Sequence, residues 1–249
     1  MKRFRRLAAL SAIFLSVCAV AAQAKEDRCA GALPERTLSL SEAKITQFGT
    51  LQKLPALPLE AGEYVLTFDD GPSFKTTPKI LSELRDACVH ATFFMVGKQA
   101  LQQPLIARLV KAMGHSIGTH TYSHIKLKDL PLDQATEEIK RGIKAVQWAV
   151  YGNRMTSVPL FRFPENAGTP DLLEVAARLD LIVASYDISP EDWRNHPPAE
   201  TLRRLRQRLN ANDRGVIVMH DIQTNTVPLV PMVIDELKSR NAKIVHLVE

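Results

Sequence analysis

The chain has 249 residues, of which 45% are hydrophobic and 24% are charged. This length and composition permit one sizeable core, and they exclude a disulfide-dominated miniprotein, a collagen-like repeat and a mostly disordered chain. The formal net charge is +5, but the first 24 residues hold four basic residues and no acidic one. The remainder therefore carries about +1, and its charge gives no reason to expect nucleic acid as a partner.

The first 24 residues have the three parts of a secretory signal peptide. Basic residues at positions 2–6 precede an apolar run from Leu7 to Ala22, and Ala22-Gln23-Ala24 is a small-x-small cleavage sequence. The apolar run is too short to span a bilayer. We therefore predict that residues 1–24 are a secretory signal, that the protein is exported to the periplasm or the extracellular space, and that no stable membrane span remains after cleavage.

Removal of the signal would leave two cysteines, Cys29 and Cys88. An even pair in an oxidising compartment fits one disulfide, and two buried thiols are the alternative. Cys88 lies at the end of the first predicted helix, so we expect it at the end of the fold away from the functional site. A disulfide there would hold the N-terminal arm and leave the site unaffected.

Residues 25–60 show little periodicity and are predicted to form an extended arm, whereas residues 61–249 are predicted to form a single folded domain. Short apolar runs alternate there with helical periodicity, which indicates βαβ units and a parallel sheet. The predicted strands are Tyr64–Phe68, Ala91–Val96, His115–Thr119, Pro159–Phe163, Leu181–Tyr186, Val216–His220 and Lys243–Val248. About seven such units in a chain of this length favour a closed β/α barrel over an open sheet.

Polar side chains follow five of the seven predicted strands. They are Asp69 and Asp70 after the first, His120 and His124 after the third, Arg162 in the fourth, Asp187 and Asp192 after the fifth, and His220 with Asp221 at the sixth. The carboxyl ends of parallel barrel strands open on one face, where catalytic groups collect. We therefore expect these side chains to converge.

This set of side chains fits a metal-dependent hydrolase. A catalytic zinc ion takes three protein ligands of the His or Asp type and keeps one position open. His120, His124 and one of the two adjacent aspartates are the candidate ligands, and the other carboxylate can accept a proton from water. His220 comes from a later strand and is a candidate general acid. The expected cofactor is a divalent metal, with Zn²⁺ favoured and Co²⁺ or Ni²⁺ compatible with the same ligand types.

In their order along the chain, these motifs resemble those of the polysaccharide deacetylase family (NodB homology, carbohydrate esterase family 4). The motifs are Thr67-Phe68-Asp69-Asp70-Gly71-Pro72, His120-Thr121-Tyr122-Ser123-His124, Arg162-Phe163-Pro164, the stretch from Asp187 to Trp193, and Met219-His220-Asp221. The resemblance covers Glu63 to the C-terminus. It implies a distorted (β/α) barrel that hydrolyses acetyl groups, chiefly N-acetyl groups, on a polysaccharide or oligosaccharide.

The resemblance also implies a role for each matching residue. On the catalytic side, Asp69 is the base, Asp70, His120 and His124 bind the metal, Arg162 holds the base, and His220 is the acid supported by Asp187 or Asp192. On the substrate side, the N–H that follows Pro164 helps to hold the oxyanion, Met219 lines an acetyl pocket, Glu165 lies near the sugar, and Trp193 and Tyr122 are candidates for stacking on sugar rings.

Three departures from the family pattern stand in this sequence. Glu165 and Asn166 replace the usual aromatic residue and glycine after the third motif, and the carboxylate at 165 either alters the substrate or points outward. Asp187 and Asp192 are five positions apart instead of three, which leaves the partner of His220 open. Met219 replaces the more usual leucine.

Two other functions compete with N-deacetylation. One is a non-catalytic sugar-binding protein on the same barrel, which the retention of Asp69 and His220 argues against. The other is a different hydrolase on this fold, acting on an O-acetyl ester or a cyclic amide. The sequence does not identify the polymer.

Overall fold

The computed structural model describes residue 29, residues 31–152 and residues 155–249. The predicted signal peptide and positions 25–28 of the predicted arm lie outside these residues. The described part contains nine strands: β1 Glu35–Ser39, β2 Gln47–Phe48, β3 Glu63–Asp69, β4 Thr92–Met95, β5 Ser116–Thr119, β6 Leu160–Phe161, β7 Ile182–Ala184, β8 Gly215–His220 and β9 Lys243–Val248. It also contains seven α-helices: α1 Thr77–Asp86, α2 Gly97–Gln102, α3 Pro104–Ala112, α4 Leu132–Tyr151, α5 Pro170–Arg178, α6 Pro198–Ala211 and α7 Thr226–Ser239.

The strands form one parallel sheet that closes on itself around β3. From β3 the sheet continues through β4, β5, β6 and β7. After β7, Ile188 bridges Ile217 of β8, and β8 pairs with β3 from Tyr64 to Asp69. The two-residue β6 and the single bridge to β8 make the ring irregular. The structure therefore confirms the single-domain, distorted α/β barrel and all seven predicted strands.

The N-terminal arm contributes two strands that the sequence analysis did not predict. β1 pairs along its whole length with β9, and β2 pairs with β7. Phe48 of β2 is fully buried in the apolar cluster that contains Phe94 and Ala184, whereas β1 is partly exposed and lacks clean apolar alternation. The arm is thus part of the sheet rather than an extended lead-in.

The helices cover the barrel in the way that their sequences predict. Proline occupies the first turn of α1, α3, α5 and α6, where its fixed φ suits the helix and no N–H is needed. The Thr169 side chain accepts a hydrogen bond from the Leu172 N–H and so caps α5. Each helix buries an apolar stripe against the sheet, as Leu202, Leu205 and Leu209 of α6 illustrate. Among the described residues, no helix is both long enough and apolar enough to cross a membrane.

A disulfide joins Cys29 to Cys88, with the two Cα atoms 5.6 Å apart. Cys88 lies just after α1, at the end of the barrel opposite the carboxyl ends of the strands. The bond ties the start of the arm to the barrel, as predicted, and it closes a loop across a sequence separation of 59.

We expect replacement of Cys88 by serine to destabilise the folded chain. A cross-link that closes a loop of this length restricts the unfolded state, so its loss costs about 2–4 kcal/mol of unfolding free energy. Urea denaturation of the oxidised protein measures this cost, and Cys29→Ser serves as the matched control because it breaks the same bond. Two variants that unfold at the same urea concentration as the wild type would show that the bond does not stabilise the fold.

Candidate active site

The carboxyl ends of the strands surround a cavity of about 450 Å³. Asp69 ends β3 and lies directly opposite His220, which ends β8. The side chains that line the cavity are Asp69, Asp70, His120, His124, Arg162, Phe163, Glu165, Asn166, Tyr186, Trp193 and His220. Most of the sequence-predicted catalytic and metal-binding residues are therefore brought together in one place.

Three of these side chains form a group with the geometry of a metal site. One ligand atom from each of Asp70, His120 and His124 lies within 4.8 Å of the others. Asp70 Oδ1 lies 3.1 Å from His124 Nε2 and 3.6 Å from His120 Nε2. This oxygen is buried and accepts no well-directed hydrogen bond, which is costly unless a cation is its partner.

The surroundings of the group orient its ligand atoms. His120 Nδ1 lies 2.7 Å from the Arg162 carbonyl oxygen, which can only accept a hydrogen bond. His120 therefore carries its proton on Nδ1, and Nε2 keeps the lone pair that a metal requires. The ligand types, one carboxylate and two imidazoles, fit a divalent cation such as Zn²⁺. The buried Asp70 oxygen that lacks a hydrogen-bond partner fits it as well.

The charges of Asp70 and His120 suit this interpretation, whereas the contact with Asp70 raises the pKa of His124. Burial acts to raise the pKa of Asp70, but the contact with His124 and the charges of the nearby histidines lower it to about 2. Burial lowers the pKa of His120. Asp70 is thus ionised and His120 neutral near neutral pH, which are the forms that bind a cation.

The loop that carries both histidines is fixed by α4. The Ser123 N–H and hydroxyl both donate to Glu138 Oε1 at 2.6 Å. Gly142 lies so close to this loop that a Cβ atom there would be 2.5 Å from the Thr121 carbonyl carbon. His124 itself has a φ of 61°, a left-handed conformation that non-glycine residues adopt only when their surroundings enforce it.

Asp69 is held by a buried arginine. Arg162 is 1% exposed, and its Nη1 donates to Asp69 Oδ1 at 2.7 Å and to Thr67 Oγ1 at 2.9 Å. Arg162 Nε and Nη2 donate to the main-chain oxygens of Ala184 and Ser185, respectively. Because Oδ1 of Asp69 is engaged, Oδ2 is the oxygen left to face the cavity, 3.9 Å from His120 Nε2.

His220 lies beside Asp69 on the neighbouring strand and is oriented by Asp192. His220 Nδ1 lies 2.9 Å from Asp192 Oδ1, and the His220 backbone N–H donates to Asp192 Oδ2 at 2.7 Å. Thr226 Oγ1 donates to the same Oδ2. Burial acts to lower the pKa of His220, but the hydrogen bond to Asp192 and the charges of Asp192, Asp69 and Asp70 raise it to about 9.

The prediction that Asp187 belongs to the catalytic group is wrong. Its Oδ1 accepts hydrogen bonds from the Thr50 N–H and hydroxyl, and its Oδ2 accepts one from the Val216 N–H. Asp187 therefore fastens the N-terminal arm to the barrel, and Asp192 alone supports His220. Asp187 and Asp192 are five positions apart because Ile188, between them, forms a bridge to Ile217 of β8. The chain therefore follows the barrel wall after Asp187 and reaches the cavity only at Asp192.

The structure also contradicts two of the predicted substrate contacts. Met219 is fully buried in the core between the sheet and the helices, because it precedes His220 in β8 and so faces the opposite side of the strand. Tyr122 does not line the cavity. Its ring stacks under the guanidinium of Arg141, 4.0 Å from ring centroid to Cζ, in a separate groove beside α4.

The remaining predicted substrate contacts lie at the cavity rim or next to it. Glu165 lines the cavity and forms an ion pair with Lys126 across its mouth. Trp193 also lines it and is 50% exposed, and the Arg194 guanidinium lies over its ring, 4.7 Å from the centroid. Pro164 is buried at the start of a short 3-10 helix beneath Glu165.

Asp221 does not support His220, which confirms the prediction from the strand alternation. Its side chain points away from the cavity, as the strand alternation predicts, and lies under the loop that carries Asp70. Its Oδ2 accepts a hydrogen bond from Thr77 Oγ1 at 2.6 Å, while burial raises its pKa to about 7. A Cβ atom at Gly71 would be 2.1 Å from the Asp221 carboxylate, so this contact explains why a glycine follows Asp70.

The sequence of the chain is similar to a known protein family and to several characterised proteins. The family model described as polysaccharide deacetylase matches residues 57–184. A chitooligosaccharide deacetylase of Azorhizobium caulinodans is 34% identical over 63% of this chain and 72% of its own length. A peptidoglycan-N-acetylglucosamine deacetylase of Listeria monocytogenes is 29% identical over 74% of this chain. The matched region is only 38% of the length of the Listeria protein.

A solved structure gives the same result for the fold. A peptidoglycan deacetylase of Bdellovibrio bacteriovorus superposes with a TM-score of 0.76 at 28% identity, covering 87% of this chain and 59% of its own. The similarity therefore extends beyond the residues that the family model matches.

We expect the two adjacent aspartates to differ in their effect on metal binding. Asp70→Asn and His124→Ala each remove a ligand and should lower Zn²⁺ affinity at this site by at least about 100-fold. Asp69→Asn should bind Zn²⁺ nearly as well as the wild type, because Asp69 pairs with Arg162. Isothermal titration calorimetry measures all three variants. Equal losses of affinity in Asp69→Asn and Asp70→Asn would refute this division.

We also expect Asp192 to control the protonation of His220. Because the folded pKa is raised from 6.5 to about 9, the stabilisation that the charged imidazole provides is present below pH 6.5 and is lost as the pH rises through 9. Asp192→Asn removes the main opposing charge and should lower this pKa by about 1–3 pH units. NMR titration of the His220 ring in the metal-free protein measures it, and an unchanged pKa would contradict the assignment.

Proposed function

Because the chain belongs to the polysaccharide deacetylase family, we propose that it hydrolyses N-acetyl groups of amino sugars in a polysaccharide or oligosaccharide. The products are acetate and a free amine. One observation carries the proposal: a carboxylate base and an imidazole acid, each with its own buried partner, lie side by side on neighbouring strands and line a cavity that also holds the Asp70, His120 and His124 group.

The cofactor that we propose is a divalent metal ion, with Zn²⁺ favoured by the ligand types. Asp70, His120 and His124 would hold it, and when bound it would polarise the acetyl carbonyl and make a nearby water molecule more acidic. The hydrogen bond from His120 Nδ1 to the Arg162 carbonyl keeps Nε2 directed at this position.

Asp69 is proposed as the general base. Arg162 holds Oδ1 in place and leaves Oδ2 to accept the proton of the attacking water. The buried guanidinium also holds the Asp69 carboxylate in one orientation, so the side chain does not have to change rotamer before it accepts the proton. The N–H of Glu165 is the proposed donor to the oxyanion of the tetrahedral intermediate.

His220 is proposed as the general acid. Its Nδ1–H is held by Asp192, so the proton on Nε2 is the one available for transfer. An amine is a poor leaving group until it is protonated, and a raised pKa keeps the imidazole protonated near neutral pH. After transfer, the neutral imidazole retains its hydrogen bond to Asp192.

The proposed substrate is a polymer or oligomer that contains N-acetylglucosamine. The names of the similar proteins point to peptidoglycan and to chitooligosaccharides, and the half-exposed ring of Trp193 at the rim suits stacking on a sugar ring. The disulfide and the cell-wall substrates of the relatives support the proposed export to the periplasm or the extracellular space.

The competing functions differ in what they require of the site. A non-catalytic sugar-binding protein has no use for an oriented base and acid, so the hydrogen bonds of Asp69 and His220 favour an enzyme. An O-acetyl esterase needs the base but depends less on the acid, because an alkoxide leaving group requires less help than an amine. The role of His220 therefore separates the two acetyl hydrolases.

We expect His220→Ala to lower the deacetylation rate of an N-acetylglucosamine oligomer by about 10²–10⁴-fold. The loss should be much smaller on 4-nitrophenyl acetate, whose leaving group needs no proton. Acetate release and nitrophenolate absorbance measure the two rates. The matched control is Asp69→Asn, which should slow both reactions because each needs an activated water.

Equal losses on the amide and on the activated ester would show that His220 does not act as an acid. A wild-type protein that cleaves only the ester would favour the O-acetyl esterase.

A further inference from the structure

We propose that Glu35, His90 and His246 form a second metal site, which binds a divalent transition-metal ion at the end of the barrel opposite the catalytic cavity. One candidate ligand atom from each of the three side chains lies within 4.8 Å of the others. The site shares no residue with the catalytic cavity and does not depend on the proposed function.

Three separate elements bring these ligands together. Glu35 begins β1, His90 lies two residues before β4, and His246 is in β9. The β1–β9 pairing places Thr37 beside His246, and the imidazole rings of His90 and His246 stack with centroids 5.0 Å apart. An ion held here would therefore cross-link the N-terminal arm to the barrel.

The tautomer of His246 is fixed by a hydroxyl group with a single proton. Ser116 Oγ donates that proton to the Leu247 carbonyl oxygen at 2.5 Å. It must therefore accept a hydrogen bond from His246 Nε2, which lies 2.9 Å away. His246 thus carries its proton on Nε2, and its Nδ1 keeps a lone pair for a metal.

The anionic ligand is oriented by the loop before β4. Glu35 Oε2 accepts the His90 backbone N–H at 2.6 Å, and Glu35 Oε1 lies 2.7 Å from His90 Nδ1. A carboxylate beside two imidazoles is a donor set that Zn²⁺ accepts.

A third histidine, His115, lies next to the site but is not one of its ligands. His115 Nδ1 accepts the Ala91 backbone N–H at 3.1 Å, so the proton of the neutral ring is on Nε2. This buried Nε2–H has no hydrogen-bond partner and cannot act as a ligand. Glu35, His90 and His115 line a cavity of about 550 Å³ beside the disulfide. Because Glu35 and His90 are 20% and 35% exposed, an ion can reach them from solvent.

Metal stoichiometry tests the proposal. Equilibrium dialysis against Zn²⁺, with the bound metal counted by atomic absorption, should find two ions per wild-type chain. The Asp70→Asn/His124→Ala variant should retain one ion, and adding His90→Gln to it should remove that ion. His196→Gln is the matched control, because His196 is also a partly exposed histidine beside a glutamate but lies on an unrelated loop.

The melting temperature distinguishes a specific site from nonspecific binding of Zn²⁺ to the surface. In the Asp70→Asn/His124→Ala background, Zn²⁺ should raise the melting temperature by about 5 °C at a large excess over Kd, because the ion links the arm to the barrel. Glu35→Gln, which keeps the carbonyl acceptor, should abolish this shift even if His90→Gln folds poorly. Deacetylase activity should stay within about twofold in Glu35→Gln.

An Asp70→Asn/His124→Ala variant that binds no ion would overturn the proposal, as would an ion or a melting shift in that background that survives Glu35→Gln. These outcomes are independent of catalysis. An inactive protein that binds two ions would contradict the proposed function and leave the second site intact.

Discussion

The arrangement of the active site depends on the buried guanidinium of Arg162. A fully buried cation is costly unless every N–H finds an acceptor. Arg162 donates to Asp69 and Thr67 of β3 and to two carbonyl groups at the end of β7, and it stacks 4.1 Å over the Phe94 ring. Its own carbonyl orients His120. One residue therefore positions the proposed base with its side chain and sets the tautomer of a proposed metal ligand with its carbonyl group.

The two ends of the barrel shift the pKa values of several histidines in different directions. At the carboxyl ends of the strands, contacts with carboxylates raise the pKa values of His124 and His220, whereas burial lowers the pKa of His120. At the opposite end, burial and neighbouring rings lower the pKa values of His115 and His246. The local surroundings of each ring therefore decide its protonation.

The sequence predicted the barrel and most of the site because both follow from local patterns. Apolar runs gave the seven strands, and motifs at strand ends converge by topology. β1 and β2 were not predicted, because β1 is partly exposed with little apolar alternation and β2 is only two residues long. The choice between Asp187 and Asp192 required the path of the chain after β7. Met219 was wrongly predicted to line the cavity, although its alternation with His220 along β8 already excluded it. The sequence did not indicate Glu35 as a candidate ligand, because His90 and His246 are distant from it in sequence.

Acetate release measured with and without chelator tests the central claim most directly. The substrates are N-acetylglucosamine oligomers, peptidoglycan and O-acetylated xylan, each incubated with the same preparation of the protein. The account predicts release from at least one of the two N-acetylated substrates, loss of that release on chelation, and recovery when Zn²⁺ is restored. Release from xylan alone, or release that chelation does not affect, would contradict it.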